Sequence, residues 1–237
     1  MTAFALAIAS PLLKICGLRE TDQAAAVAQL GVDAIGVIGV PGSPRFLDPE
    51  HRPALFGAMR AAAPGCRGVL VVADPLEQQW AQLELGQGHD VLQLHGSETP
   101  QLCGQLRSLL GCEIWKALRI RRPEDLQRAV DYSLVVDALL LDAWVPDQLG
   151  GTGHRIPIDW LQGFTPVLPW WLAGGIRADR VPGVLTQLRP TGLDASSGVE
   201  RSPGNKDLDQ VAALVAAVRV AGLAGPSQSR SVGLAPS

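Results

Sequence analysis

Short apolar runs recur along the chain, and each is followed by a segment with helical spacing of apolar positions or a plausible substitute for one. Such runs are typical of parallel strands covered on both faces. The pattern predicts eight strands, at Leu12–Cys16, Ala34–Ile38, Gly68–Val72, Val91–Gln93, Ile114–Leu118, Ala138–Leu141, Trp170–Leu172 and Leu193–Ala195. It predicts helices at Thr21–Leu30, Pro49–Ala62, Leu76–Leu85, Glu98–Leu110, Pro123–Val130, Ile158–Gln162, Arg177–Leu188 and Lys206–Val218.

This alternation predicts an α/β fold that is a single (β/α)8 TIM barrel. A chain of 237 residues, of which 47% are hydrophobic, can bury the core of one such barrel. The barrel would span residues 12–220, between an N-terminal extension at 1–11 and a Gly-, Ser- and Pro-rich tail at 221–237 that we expect to be disordered. The alternative is an open doubly wound sheet, but its Gly-x-Gly-x-x-Gly turn is missing after the first strand.

Four predicted helices have polar residues at their starts, where a side-chain oxygen can accept hydrogen bonds from the first free backbone N–H groups. These starts are Thr21-Asp22, Asp48-Pro49, Asp74-Pro75 and Ser97-Glu98. We therefore expect side-chain caps at all four.

The bulk composition excludes several classes of partner. A net charge of −3 gives no electrostatic reason to bind nucleic acid or an anionic membrane surface, and no run approaches the roughly 18 apolar residues of a membrane helix. The four cysteines form no CxxC pair, which favours a reducing compartment over disulfides or structural zinc. Met1–Ser10 is apolar but lacks the basic start of a signal peptide. We expect a cytoplasmic protein.

In a barrel of this kind the chemistry lies at the carboxyl ends of the strands. Lys14 and Cys16 share one face of the first strand because strand side chains alternate, and a nearby ammonium would lower the thiol pKa and make Cys16 a usable base. Asp142 ends an apolar strand, where partial desolvation favours an acid that holds its proton. Spacing alone leaves an inert buried cysteine and an ordinary capping aspartate as alternatives.

Small residues that expose backbone N–H groups follow the last two strands. They are Gly174 and Gly175 after the seventh strand, and Ser196, Ser197 and Gly198 after the eighth. These two loops and the N-terminus of a short extra helix often bind phosphate in such barrels, and Val199-Glu200 could begin that helix. The sequence therefore predicts a phosphate site, with two ordinary turns as the alternative.

Two further side chains follow the second and fourth strands. Arg45 ends a constrained loop, and its planar guanidinium suits a carboxylate, although a solvated surface arginine fits the spacing as well. His95 lies on the same face as Gln93, with a purely structural histidine as the alternative.

Seven motifs taken together resemble the phosphoribosylanthranilate isomerase family in order and spacing. They are Lys14-Ile-Cys-Gly, Pro41-Gly-Ser-Pro-Arg45, Gln93-Leu-His-Gly, Leu140-Leu-Asp142, Gly150-Gly-Thr-Gly153, Leu172-Ala-Gly-Gly175 and Asp194-Ala-Ser-Ser-Gly-Val-Glu200. Members of the family convert N-(5-phosphoribosyl)anthranilate to the 1-(2-carboxyphenylamino)-1-deoxyribulose phosphate in tryptophan biosynthesis. They do so by an Amadori rearrangement, without metal or cofactor.

The resemblance implies a role for each motif. Asp142 would be the acid and Cys16 the base, Arg45 would bind the anthranilate carboxylate, and Lys14 and His95 would assist. The phosphate would be held by Gly174, Gly175, Ser196, Ser197 and Gly198, and a loop with Gly151 and Thr152 would close over the substrate. The implied partner is a small phosphorylated molecule, bound by a monomer or a homodimer.

Two other functions compete with this one. A related histidine-pathway sugar isomerase has an aspartate after its first strand, so Cys16 argues against it. A catalytically silent phosphosugar-binding module would not need both Cys16 and Asp142.

One segment, Gly36–Val40, departs from the isomerase family, which often has phenylalanines at these positions.

Overall fold

The computed structural model describes residues 10–144 and 154–223 of the chain. Eight parallel strands, hydrogen-bonded in sequence order, form a closed barrel in which the last strand pairs with the first. They are β1 (Leu12–Cys16), β2 (Ala34–Ile38), β3 (Arg67–Val72), β4 (Val91–Leu94), β5 (Glu113–Ile120), β6 (Ala138–Ala143), β7 (Trp170–Leu172) and β8 (Gly192–Ala195). The predicted single (β/α)8 barrel is confirmed, and the open sheet is excluded.

Helical segments follow the strands on the outside of the barrel. The α-helices are α1 (Thr21–Gln29), α2 (Arg52–Ala62), α3 (Pro100–Leu110), α4 (Ala129–Tyr132), α5 (Ile158–Leu161), α6 (Val181–Gln187) and α7 (Leu208–Leu223). Short 3-10 helices lie at Pro49–His51, Glu77–Leu83, Leu85–Gln87, Pro123–Arg128, Ala178–Arg180 and Ser197–Val199, and a hairpin of β9 (Glu200–Ser202) and β10 (Asn205–Lys206) follows β8. Within the described ranges, none of the helices has the length and hydropathy needed to cross a membrane.

The helix predicted at Leu76–Leu85 is wrong. The segment forms two 3-10 helices instead of an α-helix, and Leu83 is the buried residue of the first. Leu76, Trp80 and Leu83 have helical spacing, but Leu76 is 59% exposed, so the segment does not bury a full apolar stripe of the kind that stabilises an α-helix on the barrel. The helix predicted from Pro123 is likewise a 3-10 helix that becomes α-helical only in α4.

None of the four predicted side-chain caps forms in the described part of the chain. Thr99 caps α3 instead, since its hydroxyl accepts a hydrogen bond from the Leu102 N–H at 3.2 Å. Asp74 accepts a hydrogen bond from the Ser97 N–H at 2.7 Å, and Glu98 accepts one from the Asp74 N–H at 2.8 Å. These carboxylates tie the loops after β3 and β4 together rather than beginning helices.

Alternate strand positions build two separate cores. Leu13 and Ile15 belong to the core between the strands and the helices, whereas Cys16 belongs to a core inside the barrel. The other fully buried members of that inner core are Ala34, Val69, Val71, Val91, Trp115, Ala117, Ala138, Leu140, Trp171 and Ala173. Lys14 is fully buried on the same face as Cys16, so the predicted shared inward direction of these two side chains is confirmed.

His89, directly before β4, makes folding sensitive to acid. Its side chain is 2% exposed, and burial lowers its pKa to about 4 although Leu83 and Asp90 act to raise it. The unfolded chain has an ordinary histidine pKa near 6.5, so it takes up the proton first. The contribution of neutral His89 to the free energy of unfolding is therefore complete above about pH 6.5 and is lost as the pH falls toward 4. The loss is roughly 3 kcal/mol for this residue alone.

Urea unfolding at pH 7 and pH 4 gives the decrease in the free energy of unfolding between these two pH values. We expect this decrease to be about 3 kcal/mol smaller in His89→Gln than in the natural chain. His51→Gln is the matched control, because His51 is largely exposed. An equal pH dependence in the natural chain and in His89→Gln would contradict the assignment.

Candidate active site

Cys16 and Lys14 fit inside the barrel because the neighbouring strand has a glycine beside them. A Cβ atom on Gly36 of β2 would lie 2.6 Å from the Cys16 Sγ and 3.0 Å from the Lys14 Cε. Gly36 pairs with Cys16 in the register of β1 and β2. A larger residue at Gly36 would displace the thiol, so the glycine leaves room for these two polar side chains.

The Lys14 ammonium is paired with Asp194 of β8 at 3.0 Å. Burial lowers the pKa of Lys14, but Asp194 and Cys16 together raise it by more, so the net pKa is above its usual value and the amine stays charged. For the Cys16 thiol, burial raises the pKa more than Lys14 lowers it, and Asp194 adds to the increase. The predicted lowering of the thiol pKa is therefore wrong, because the cation is shared with a carboxylate inside a closed core.

A chain of buried charges joins the end of β1 to the loop that follows β2. Lys206 donates hydrogen bonds to the backbone carbonyl of Cys16 and to Glu200. Glu200 also accepts hydrogen bonds from the Nε and Nη2 of Arg45, at 3.0 and 2.7 Å. Burial raises the pKa of Glu200, but Arg45 and Lys206 hold it below its usual value.

This chain of charges bears on the interpretation of Arg45 as a solvated surface residue. Its side chain is 11% exposed, which excludes a solvated surface arginine. Gly17 has φ +85°, and a Cβ there would lie 2.6 Å from the Arg45 Cδ, so only glycine allows the arginine to approach the end of β1. Glu200 holds the Nε/Nη2 edge of the guanidinium, and the Nη1/Nη2 edge can still bind a carboxylate.

Asp142 faces the barrel interior at the end of β6 and is 6% exposed. Its Oδ1 accepts a hydrogen bond from the Ala143 N–H at 2.9 Å, and its Oδ2 lies 3.4 Å from the His95 Nε2. The other ring nitrogen of His95, Nδ1, lies 3.1 Å from the Gln93 amide nitrogen. The predicted acid therefore has a histidine beside it, held by a second buried polar side chain.

The loops after β7 and β8 lie against one another. A Cβ on Gly198 would lie 2.3 Å from the carbonyl oxygen of Ile176, so the loops touch at backbone distance. Arg180 donates hydrogen bonds to the carbonyls of Gly174 and Gly175, at 3.1 and 2.6 Å. In a trans peptide the next N–H points the opposite way, so those of Gly175 and Ile176 face away from Arg180.

The short helix beside these loops is the 3-10 helix Ser197–Val199. It ends at the position where the sequence pattern predicts that a helix begins, because Glu200 enters β9. The predicted start at Val199-Glu200 is therefore wrong. The helix N-terminus lies instead at Ser196-Ser197, within the predicted phosphate loop.

The sequence and the fold of the chain were compared with those of known proteins. Residues 13–217 match the family model described as N-(5'phosphoribosyl)anthranilate (PRA) isomerase. The chain belongs to this family. The predicted activity is confirmed at this level: the chain is an isomerase of tryptophan biosynthesis.

Similar isomerases cover most of the chain. The N-(5'-phosphoribosyl)anthranilate isomerase of Nostoc punctiforme is 45% identical over 203 residues, which are 85% of this chain and 95% of that protein. The crystal structure of the Thermus thermophilus enzyme has a TM-score of 0.75 at 31% identity, over 88% of this chain and 98% of that one. Another isomerase, 25% identical with a TM-score of 0.73 over 89% of this chain and 99% of its own, was crystallised with reduced 1-(o-carboxyphenylamino)-1-deoxyribulose 5-phosphate.

Most of the predicted site residues of this isomerase lie at one end of the barrel. The exceptions are Gly151 and Thr152, which lie outside the described residues. Sequence reasoning missed the contacts of Asp194, Glu200 and Lys206. The sequence did contain a signal for Lys206, since the chain has only three lysines. The structure shows that this lysine is buried.

Proposed function

We propose that this isomerase performs its Amadori rearrangement with Asp142 as the general acid and Cys16 as the general base. Asp142 gives its proton to the furanose ring oxygen of N-(5-phosphoribosyl)anthranilate. The bond from that oxygen to C1 breaks, and the anthranilate nitrogen shares its lone pair with C1 to give an iminium. The Cys16 thiolate removes the acidified C2 proton, and the resulting enolamine tautomerises to the ketone.

The observation that carries this proposal is the position of the two groups relative to the glycine-rich loops. Cys16 and Asp142 both face inward at carboxyl ends of strands. A Cβ on Gly174 would lie 3.6 Å from the Asp142 Oδ1, and one on Gly17 would lie 3.4 Å from the Ser196 Oγ. The loops after β7 and β8 therefore lie beside both Asp142 and the end of β1, at the same end of the barrel. A sugar phosphate bound there can contact the acid, the base and the loops.

Gly174, Gly175, Ser196, Ser197 and Gly198 are proposed to hold the substrate phosphate. The hydrogen bonds from Arg180 to two carbonyls support this role, because they turn neighbouring N–H groups away from Arg180. Lys14 would stabilise the thiolate once it forms, and the loop with Gly151 and Thr152 would exclude water from the iminium. The reduced product analogue bound to the related isomerase carries the same phosphate and anthranilate groups.

Arg45 is proposed to bind the anthranilate carboxylate, and Arg45→Ala is expected to raise KM by about 10- to 100-fold with a small change in kcat. A charge-assisted hydrogen bond to a group remote from the bond changes contributes mainly to binding. Steady-state kinetics checks this, with Arg201→Ala as a control because Arg201 is an exposed arginine of the adjacent hairpin. A large fall in kcat at unchanged KM would contradict the role.

The activity itself is tested with purified protein and phosphoribosylanthranilate, whose anthranilate group makes its consumption visible by fluorescence. Rescue of a tryptophan auxotroph that lacks this step tests it in cells. Absence of both turnover and rescue would overturn the proposal.

We also propose a cytoplasmic enzyme that acts on its small phosphorylated substrate as a monomer or a homodimer. The four cysteines are buried and free, which supports a reducing compartment. Cell fractionation tests the location, and light scattering of the purified protein tests the assembly.

A further inference from the structure

Gln93, His95 and Asp142 form a buried line of polar side chains across β5. The exposed fractions of Gln93 and His95 are 1% and 7%, and both side chains point inward from β4, as Asp142 does from β6. The inner core contains two residues of β5, Trp115 and Ala117, of which Ala117 is small. The His95 Nε2 lies 3.4 Å from the Asp142 Oδ2.

The orientation of the Gln93 amide selects the tautomer of His95. The Gln93 NH2 group donates to Nδ1 at 3.1 Å, so Nδ1 is the acceptor nitrogen. A neutral imidazole has one N–H, which must then be on Nε2, 3.4 Å from the Asp142 Oδ2. Within the described residues, neither the His95 Nε2 nor the Gln93 Oε1 makes a hydrogen bond, and the Asp142 Oδ2 lies 3.4 Å from Nε2.

The tautomer matters for an acid that has to give its proton to a substrate. A bare Nε2 would be a base beside Asp142 and would compete with the substrate for the proton. An Nε2–H cannot take that proton. It stabilises the carboxylate left after proton transfer, as the Ala143 N–H does at the other oxygen.

We propose that Gln93 is a positioning residue that fixes the Nε2–H tautomer of His95 and thereby keeps the Asp142 proton available to the substrate. The inference deepens the proposed function, since it rests on Asp142 as the general acid. Gln93 touches neither substrate nor reacting atoms and acts through His95.

Replacement of Gln93 by glutamate reverses the hydrogen bond. A carboxylate at this position accepts from an Nδ1–H, which leaves Nε2 bare or makes the ring an imidazolium. In both states Asp142 loses its proton at lower pH, because the ring competes for the proton or its charge stabilises the carboxylate. The other charged groups beside Asp142 are Arg119, its partner in the register of β5 and β6, and the segment His154–Arg155, which lies with Asp142 around Gly174. The charged pair Lys14–Asp194 also lies inside the barrel.

The test is the pH profile of kcat/KM for the natural chain, Gln93→Glu and Gln93→Met. The limb of the profile that reports ionisation of Asp142 is expected to move to lower pH by about one unit or more in Gln93→Glu. Gln93→Met is expected to lower the rate without adding charge. Gln162→Glu, at an exposed glutamine beyond α5, controls for the added charge. Equal rate losses at every pH in both Gln93 variants, with no shift of the limb, would mean a merely structural role.

A second measurement needs no variant at position 93. Nitrogen-15 spectra of the natural chain, with the His95 signals identified from His95→Asn, are expected to show a protonated Nε2 and an unprotonated Nδ1. The opposite tautomer would overturn the inference. Asp142→Asn separates a failure of the proposed function from a failure of this inference. If Asp142→Asn retains activity, the proposed function fails. If it is inactive while the pH profile of Gln93→Glu is unshifted, only this inference fails.

Discussion

Replacement of Asp142 by asparagine is expected to lower kcat by about 10²- to 10⁴-fold, the contribution of one general acid. Asparagine keeps the shape of the side chain and can still accept the hydrogen bond from the Ala143 N–H, but it has no acidic proton for the ring oxygen. The fluorescence of the anthranilate substrate gives the rate, and thermal unfolding checks that the fold is retained.

Asp159→Asn is the matched control, since Asp159 is an exposed aspartate of α5. It is expected to turn over substrate at the natural rate. Asp142→Asn activity within a fewfold of the natural chain would sink the role of the acid, whatever the behaviour of the base.

Replacement of Cys16 by alanine is expected to cause a loss of similar size, about 10²- to 10⁴-fold, because no other group replaces the thiolate at C2. Cys66→Ala is the control for removal of a buried thiol, as Cys66 lies in the outer core and burial raises its pKa to about 12. We expect that variant to lose stability and to keep its rate. A Cys16→Ala enzyme with natural turnover would remove the thiol from the mechanism.

The raised thiol pKa fixes the direction of the pH dependence for this step. Since burial keeps Cys16 protonated near neutrality, the thiolate fraction increases with pH through and above the ordinary thiol range. The rate of alkylation at Cys16 should therefore still be increasing at pH values where an exposed thiol has fully ionised. A plateau near neutral pH would show that Lys14 outweighs burial.

The strands could be predicted closely because buried parallel strands leave uninterrupted apolar runs in the sequence. The bounds of β1, β2 and β7 agree with the predicted ones. The caps could not be predicted, since an aspartate such as Asp74 can bind any nearby N–H, and the donor from Ser97 lies in the loop after another strand. Side-chain oxygens before a helical segment therefore indicate a polar loop more reliably than a cap.

The candidate site was predictable where it depends on alternation along one strand. Lys14 and Cys16 were placed on one face by spacing alone, and the loops after β7 and β8 by the rules of the barrel. The thiol pKa was not predictable, because it depends on a carboxylate that β8 brings beside Lys14. No spacing rule connects residues 180 positions apart.

The chain of charges from Cys16 to Arg45 has a consequence for synthesis of the protein in the cell. The lysine that holds the end of β1 is 190 positions away, and the glutamate that holds Arg45 is 155 positions away. Both partners leave the ribosome only after the whole barrel has been translated. A nascent chain can thus pair its early strands, but the end of β1 and Arg45 lack these two partners until Glu200 and Lys206 have emerged.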